Sequence, residues 1–253
     1  VRYNLPDTYI LQGQADVRCD LSQPRALVLP PPYTAHWLAR GDAFVQAGAL
    51  APEQGAGTLV WHMGQTLDAA GRLDFAVVLE PETPLADARG AFILGMLALG
   101  DAIAAHCPPE RAVGFGYPSE LLLDAGRLGG ARLAVAPQTD EDAVPDWMVF
   151  GVELIADRDH LSAPGSEPGS VSLKEEDFED PAAIIESFAA YLMLNFDRLA
   201  HGGMAPLAAR FASRLSKAGT VTDAGDFNGA EGIQPLRDAL AKSAWRGAAG
   251  PAL

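Results

Sequence analysis

The chain has 253 residues, enough for one large domain or for one domain with a smaller appendage. Hydrophobic residues make up 49% of it, which supplies a substantial core, while 33 acidic against 18 basic residues leave a net charge of -15. A chain this acidic repels a phosphate backbone unless its cations are concentrated, and the arginines are scattered, so the reading is no nucleic acid. No apolar run reaches the ~20 residues of a membrane span, and the first residues lack the basic-then-apolar pattern of a signal peptide. Cys19 and Cys107 have neither metal-type spacing nor the look of a disulfide framework, which predicts a reducing, cytoplasmic setting.

Residues 1–25 read as an N-terminal extension, with alternation over 7–11 and 16–21 that suits short strands or a cover for the core. Residues 26–29 look like a strand start, stopped by Pro30, Pro31 and Pro32. Residues 33–50 have helical spacing, with Trp37, Phe44 and Ala47 near one face and Gly41 as a weak point. Two short apolar runs, 57–62 and 73–79, predict an antiparallel pair. Thr83-Pro84 then starts a helix carrying Leu85, Ala88, Phe92, Met96, Leu99 and Ile103, ended by Pro108-Pro109.

Further strands are expected at 113–115, 121–123, 131–135 and 147–154, with Asp124-Ala125-Gly126 as a hairpin turn. Residues 158–179 read as a long excursion that closes on Asp180-Pro181, an N-cap followed by a first-turn proline. The helix that follows buries Ile184, Phe188, Tyr191, Leu192 and Leu199 and stops at Gly202-Gly203. A second helix carries Leu207, Phe211 and Leu215, and the tail holds a turn at Asp223-Ala224-Gly225 and a last helix over 233–245. Strands and helices interleave without regular βαβ units, which predicts an α+β fold with a mostly antiparallel or mixed sheet and helices packed on it. The domain reading is an extension over 1–25, a main domain over 26–215 and a small, helical C-terminal segment over 216–253.

The densest stretch is 113–134, VGFGYPSELLLDAGRLGGARLA. Tyr117-Pro118-Ser119-Glu120-Leu121 precedes the turn, and Arg127-Leu128-Gly129-Gly130 follows it. This order resembles the substrate-binding signature of the biotin/lipoate protein ligase superfamily, in which an aromatic-Pro-Asn-Asp-Leu run precedes a turn, a basic residue and a glycine-rich strand. Four other segments resemble that family in order. Residues 54–61 look like the glycine-rich loop and strand that hold the ligand's acyl and carboxylate end. Residues 75–81 resemble the strand after it, 148–156 the apolar strand centred on Gly151, and 172–176 with the helices through 203–207 the segment after the catalytic core. The resemblance spans about Pro30 to Leu215 and implies a class II synthetase/biotin ligase-like catalytic core.

For function, the resemblance implies a ligase that uses ATP, with Mg, to activate a small carboxylic acid such as biotin, lipoate or octanoate. The acyl group is then passed to a lysine of a biotinyl or lipoyl carrier domain, and a homodimer is common in such proteins. The departures fall on the chemistry. The family's catalytic lysine is Arg127 here, and the only lysines are Lys174, Lys217 and Lys242, all past the signature. The glycine-rich loop at 54–61 carries no cation, the family's Asn-Asp pair is Ser119-Glu120, and the asparagine of the late strand falls near Ile155.

Arg127 is the catalytic candidate, as an electrostatic clamp for a carboxylate or phosphate; it cannot serve as a general base. The other reading is a plain turn arginine. Arg132 lies five residues on, an odd offset, so in an extended strand the two need not share a face. Gly55, Gly57, Gly129 and Gly130 read either as places where a ligand passes close to the backbone or as bulges and crowded contacts. Thr58, Trp61, Tyr117, Ser119 and Glu120 complete the ligand-binding candidates, with Trp61 and Tyr117 as either slot-lining or core aromatics. Acyl transfer through a cysteine is disfavoured, since Cys107 sits at a helix end, and the five histidines form no metal spacing. Two functions follow: an acid-activating ligase, or a non-catalytic cofactor-binding or carrier-docking module that has lost the lysine.

Overall fold

The structure, a computed structural model, describes residues 25–64, 71–159, 161, 169–242, 244–247 and 250–253. The predicted strands at 7–11 and 16–21, Cys19 and part of the 158–179 excursion lie outside the described residues. A seven-stranded sheet organises the fold: β1 (Thr34–Trp37), β2 (Thr58–Gly64), β3 (Gly71–Leu79), β4 (Val113–Gly116), β5 (Glu120–Leu123), β6 (Gly126–Val135) and β7 (Met148–Asp157). Their order across the sheet is β1-β2-β3-β7-β6-β5-β4. Only β1 and β2 run parallel; every other neighbouring pair in this sheet is antiparallel. This is the expected α+β fold with a mixed sheet.

Alternation sorts the sheet residues onto two faces. On one face Leu73, Phe75 and Val77 of β3 and Phe150, Val152 and Leu154 of β7 meet α3 (Ala91–His106), α4 (Pro181–Gly202) and α5 (Ala205–Ala212) in the main core. Phe188 of α4 lies between Phe150 and Phe75, with ring centroids 5.7 and 5.0 Å away. On the other face Val60, Ala76, Val78 and Val149 pack against Ala43, Ala47 and Ala51 of α1 (Ala43–Gln54). Alanines make this second contact thin, and α1 covers only part of the face.

The caps behave as their chemistry dictates. Asp180 accepts from the backbone N–H of Ala182, Pro181 opens α4, and Gly203 at φ 72° closes it. Asp124 and Ala125, both at positive φ, make the β5–β6 turn. The expected helix over 33–50 is replaced by β1 followed by α1. Gly41 at φ 112° breaks the run, and Asp42 caps the helix by accepting from the N–H of Phe44 and Val45. The helix expected from Thr83-Pro84 divides at Arg89-Gly90 into α2 (Leu85–Ala88) and α3. Residues 85–106 together are long and apolar enough to cross a membrane, contrary to the run-length reading, but 78% of the most apolar window is buried in the protein.

After α5 the chain makes a small antiparallel sheet of β8 (Gly219–Val221), β9 (Phe227–Gly229) and β10 (Gly232–Gln234). The last helix, α6 (Leu236–Ala241), is shorter than the expected 233–245 and has Pro235 as its N-cap residue. A two-residue hairpin follows, β11 (Arg246–Gly247) with β12 (Gly250–Pro251). This segment turns back over the half of the sheet that α1 leaves uncovered, and that placement decides the site.

Candidate functional site

Tyr117, Ser119, Glu120 and Arg127 of the signature come together: all four line one cavity of about 470 Å³. The opposite wall comes from the C-terminal segment, with Gln234, Asp238, Lys242 and Trp245 among its residues. The Tyr117 hydroxyl donates to the carbonyls of Gly225 and Gln234, at 3.1 and 3.0 Å, which ties the signature to that segment. Desolvation raises the pKa of this phenol, so it stays a donor at ordinary pH.

Arg127 donates from Nε to Glu120 Oε1 at 2.6 Å and from Nη1 to the Ala252 carbonyl at 3.0 Å. Its pairing partner in the sheet shows why it reaches this face. Leu121 opposes Gly129 and Leu122 opposes Arg127, so Leu128 is an extra residue in β6. This bulge reverses the alternation. Leu128 joins the main core, while Arg127 and Arg132 share the opposite face despite their odd spacing.

The face itself is ionic. His62, Asp74, Glu153 and Gly130 lie side by side on β2, β3, β7 and β6. Glu153 is 0% exposed and is held by Arg132 at 2.6 Å and by Arg246, whose Nε reaches its two oxygens at 3.0 and 2.8 Å. Arg132 also forks onto both oxygens of Asp42 at 3.0 and 2.9 Å and lies 4.3 Å over the Phe44 ring. Burial works against the Asp42 carboxylate, but the Arg132 hydrogen bonds and charge outweigh it and hold its pKa low. Asp74, 1% exposed, is pushed up to about 7, first by burial and then by the charge of Glu153. Its Oδ1 has no hydrogen-bond partner.

Trp245 closes the face. Its indole N–H donates to Ser119 Oγ at 3.0 Å, and a Cβ on Gly130 would meet its ring at 2.5 Å. Across Trp245 from the first cavity lies a second, of about 460 Å³, lined by Arg89, Arg132, Arg237 and Arg246 together with Phe44. Four of the arginines that look scattered along the chain thus converge on one cleft, each also paired to a carboxylate.

Residues 29–213 match the model of the biotin/lipoate A/B protein ligase family. The chain belongs to that family. Among solved structures of similar fold, a biotin protein ligase-like protein of unknown function from Silicibacter sp. TM1040 is 24% identical, with a TM-score of 0.72, covering 83% of this chain and 97% of that one. The biotin protein ligase of Aquifex aeolicus in complex with biotin and ATP is 14% identical, with a TM-score of 0.59, covering 79% of this chain and 94% of that one. The biotin protein ligase of Leishmania major in complex with biotin is 12% identical, with a TM-score of 0.52 and coverages of 81% and 98%. No curated protein matches the sequence.

Within this ligase-family fold the candidates fall into two groups. Gly55 and Gly57 lie at the far end of β2. Gly57 is five residues before His62 and three strands from Gly130, so at ~3.3 Å per residue and ~4.8 Å per strand the two glycine pairs are about 20 Å apart. Gly55 closes α1 at φ 70°, and Gly57 packs on the Pro32 carbonyl. Gly57 lines a separate apolar cavity of about 300 Å³ with Tyr33, Leu79 and Phe196. Thr58 is buried, and Trp61 is a core residue, edge-on to Trp37 at 4.7 Å. Gly129 is forced by the close approach of the Glu153 carbonyl.

Sequence reasoning missed Asp42, Asp74, Glu153, Lys242, Trp245 and Arg246. The acids on β3 and β7 carried a signal, since each interrupts an otherwise apolar strand that must pack on both faces. The C-terminal residues carried none, because only the return of the chain brings Lys242 to Arg127.

Proposed function

We propose that this protein activates a small carboxylic acid with ATP and passes the acyl group to a lysine of a carrier domain. The observation that carries this reading is the pair of cation-lined cavities that share Trp245 as a wall, at the position of the family signature. In the reaction a carboxylate oxygen attacks the α-phosphorus and pyrophosphate leaves. The carrier's lysine amine then attacks the acyl carbon and AMP leaves. Anions approach each other in the first step, and preorganised cations lower that barrier.

The donor set suits this task. Among the described residues Arg127 spends Nε and Nη1 on Glu120 and Ala252, which leaves its Nη2 for a carboxylate or phosphate. Lys242, from the same cavity, supplies a second cation where the family's turn lysine is missing. The arginine cleft beyond Trp245 suits the remaining phosphates. The Aquifex aeolicus ligase of the same fold binds biotin and ATP, which supports ATP and a small acid as the ligand pair.

ATP–pyrophosphate exchange, with biotin, lipoate and octanoate offered separately, tests the proposal. The expected result is exchange with one acid, reduced about 100-fold by Arg127→Ala and more mildly by Lys242→Ala. Folded protein that exchanges with none of the three ends the ligase reading for those acids and leaves a cofactor-binding or carrier-docking module.

A further inference from the structure

The C-terminal hairpin occupies the part of the sheet where the signature glycines would admit a ligand, and it does so through specific chemistry. Trp245 places a flat ring on Gly130 and anchors its N–H on Ser119. Arg246 places a guanidinium on Glu153. The hairpin's other arm is latched by Arg127 on the Ala252 carbonyl, and the N–H of Ala252 donates to the Trp245 carbonyl at 2.8 Å. None of residues 244–252 falls within the stretch that matches the family, 29–213. The domain therefore has a face that a segment outside the family match fills.

What lies beneath Arg246 indicates what the face accepts. Without Arg246, Glu153 would keep only Arg132 among the described residues, and Arg132 is already shared with Asp42. A fully buried carboxylate with half of its counter-charge removed is costly and attracts a replacement cation. Asp74 beside it supplies a second carboxyl, whose buried Oδ1 is unpartnered. An aliphatic acid tail would leave Glu153 short of a counter-charge there, whereas a guanidinium or ammonium restores it.

We propose that the face over Gly130, Asp74 and Glu153 is a binding subsite for a small ligand bearing a guanidinium or ammonium group on a flat apolar body, and that Trp245 and Arg246 occupy it as a built-in mimic. Ligand entry and release of the hairpin are then a single exchange. The subsite would set the specificity of the cavity that holds Arg127, but its occupancy is read by binding alone and stands or falls apart from adenylation.

The test uses the full chain, with N-acetyl-tryptophyl-argininamide as the cationic probe and N-acetyl-tryptophanamide as its neutral counterpart. Arg246→Met keeps the apolar stem and vacates the charge. By calorimetry this variant is expected to bind the cationic probe at least about tenfold more tightly than the unaltered chain does, to ignore the neutral one, and to lose the gain when Glu153→Gln is added. Equal binding by the unaltered chain and Arg246→Met, or a gain that survives Glu153→Gln, overturns the proposal. Hydrogen exchange on the unaltered chain gives a second reading that does not depend on the variant folding. Saturating cationic probe should speed exchange at the Ala252 amide while those of residues 130–135 stay protected. Unchanged exchange at Ala252 under saturating, bound probe overturns the exchange of hairpin for ligand.

Discussion

The two faces of the central sheet are built on different physics. The face toward α3 and α4 presents apolar sheet residues, with Phe75, Phe150 and Phe188 in contact, and the polar groups on that side, buried Asn195 and the Asp101 pairs with Arg210 and Arg214, join helix to helix. The face toward α1 and the C-terminal hairpin carries alanine contacts at one end and, at the other, buried Glu153 paired with half-buried Arg132 and Arg246, Arg132 shared with Asp42, and buried Asp74 beside them. Dispersion and burial hold the first face, and they need no partner of fixed geometry. The second depends on the pairing of its charges, which makes it responsive to substitution, pH and ligand in a way the first is not.

Substitutions on the two faces should separate these mechanisms. The largest loss is expected for Phe188→Ala, which removes a fully buried ring from between two others: ~3–5 kcal/mol by urea unfolding, nearly independent of pH between 5 and 8. Glu153→Ala should cost about 3 kcal/mol, since it takes the buried acceptor from Arg132 and Arg246 and leaves both to share Asp42. Its signature is coupling: once Arg246→Met is in place, Glu153→Ala should cost less, whereas the Phe188→Ala loss should simply add. Additive behaviour at Glu153 and Arg246 would contradict the network description.

Asp74 gives the difference in pH response. Its folded pKa, about 7, lies above the ordinary carboxylate value of 3.8, so between those limits the folded chain holds a proton that the unfolded chain has lost. Stability from this group is therefore greatest below pH 4 and falls as pH rises toward 7, by up to ~1.4 kcal/mol per pH unit. Asp74→Asn should remove the slope, so thermal melts of variant and unaltered chain converge at low pH and separate in favour of the variant by pH 8. Parallel curves would mean that Asp74 titrates normally. The smallest effect is expected away from both faces. Asp180→Ala at the α4 N-cap should cost ~1 kcal/mol, by loss of the bond from Ala182 and of the exposed pair with Arg25.

The apolar face was the more legible in sequence, since its strands are short apolar runs and its helices carry their own caps and stops. The β5–β6 turn was legible for the same local reason. Thr34–Trp37 was not: its apolar residues fit helical spacing as well as a strand, and only the parallel partner β2 selects the strand. The site was half legible. Tyr117, Ser119, Glu120 and Arg127 are near in sequence and meet in one cavity, because a hairpin brings neighbours together. Gly55 and Gly57 also look like ligand glycines, but they serve the end of α1 and the Pro32 contact about 20 Å away.

The sequence by itself determined most strands of the central sheet, the α4 cap, the family signature and the missing turn lysine, because propensity, periodicity and motif spacing act over a few residues. Tertiary structure alone decided which face of β6 Arg127 occupies, through a one-residue bulge that spacing cannot reveal. It also decided that Lys242, Trp245 and Arg246, more than a hundred positions from the signature, complete its cavity and cover its face. Those contacts depend on where the chain returns after α6, and that path is set by burial of Trp245 and pairing of Arg246 with groups that the sheet has already placed.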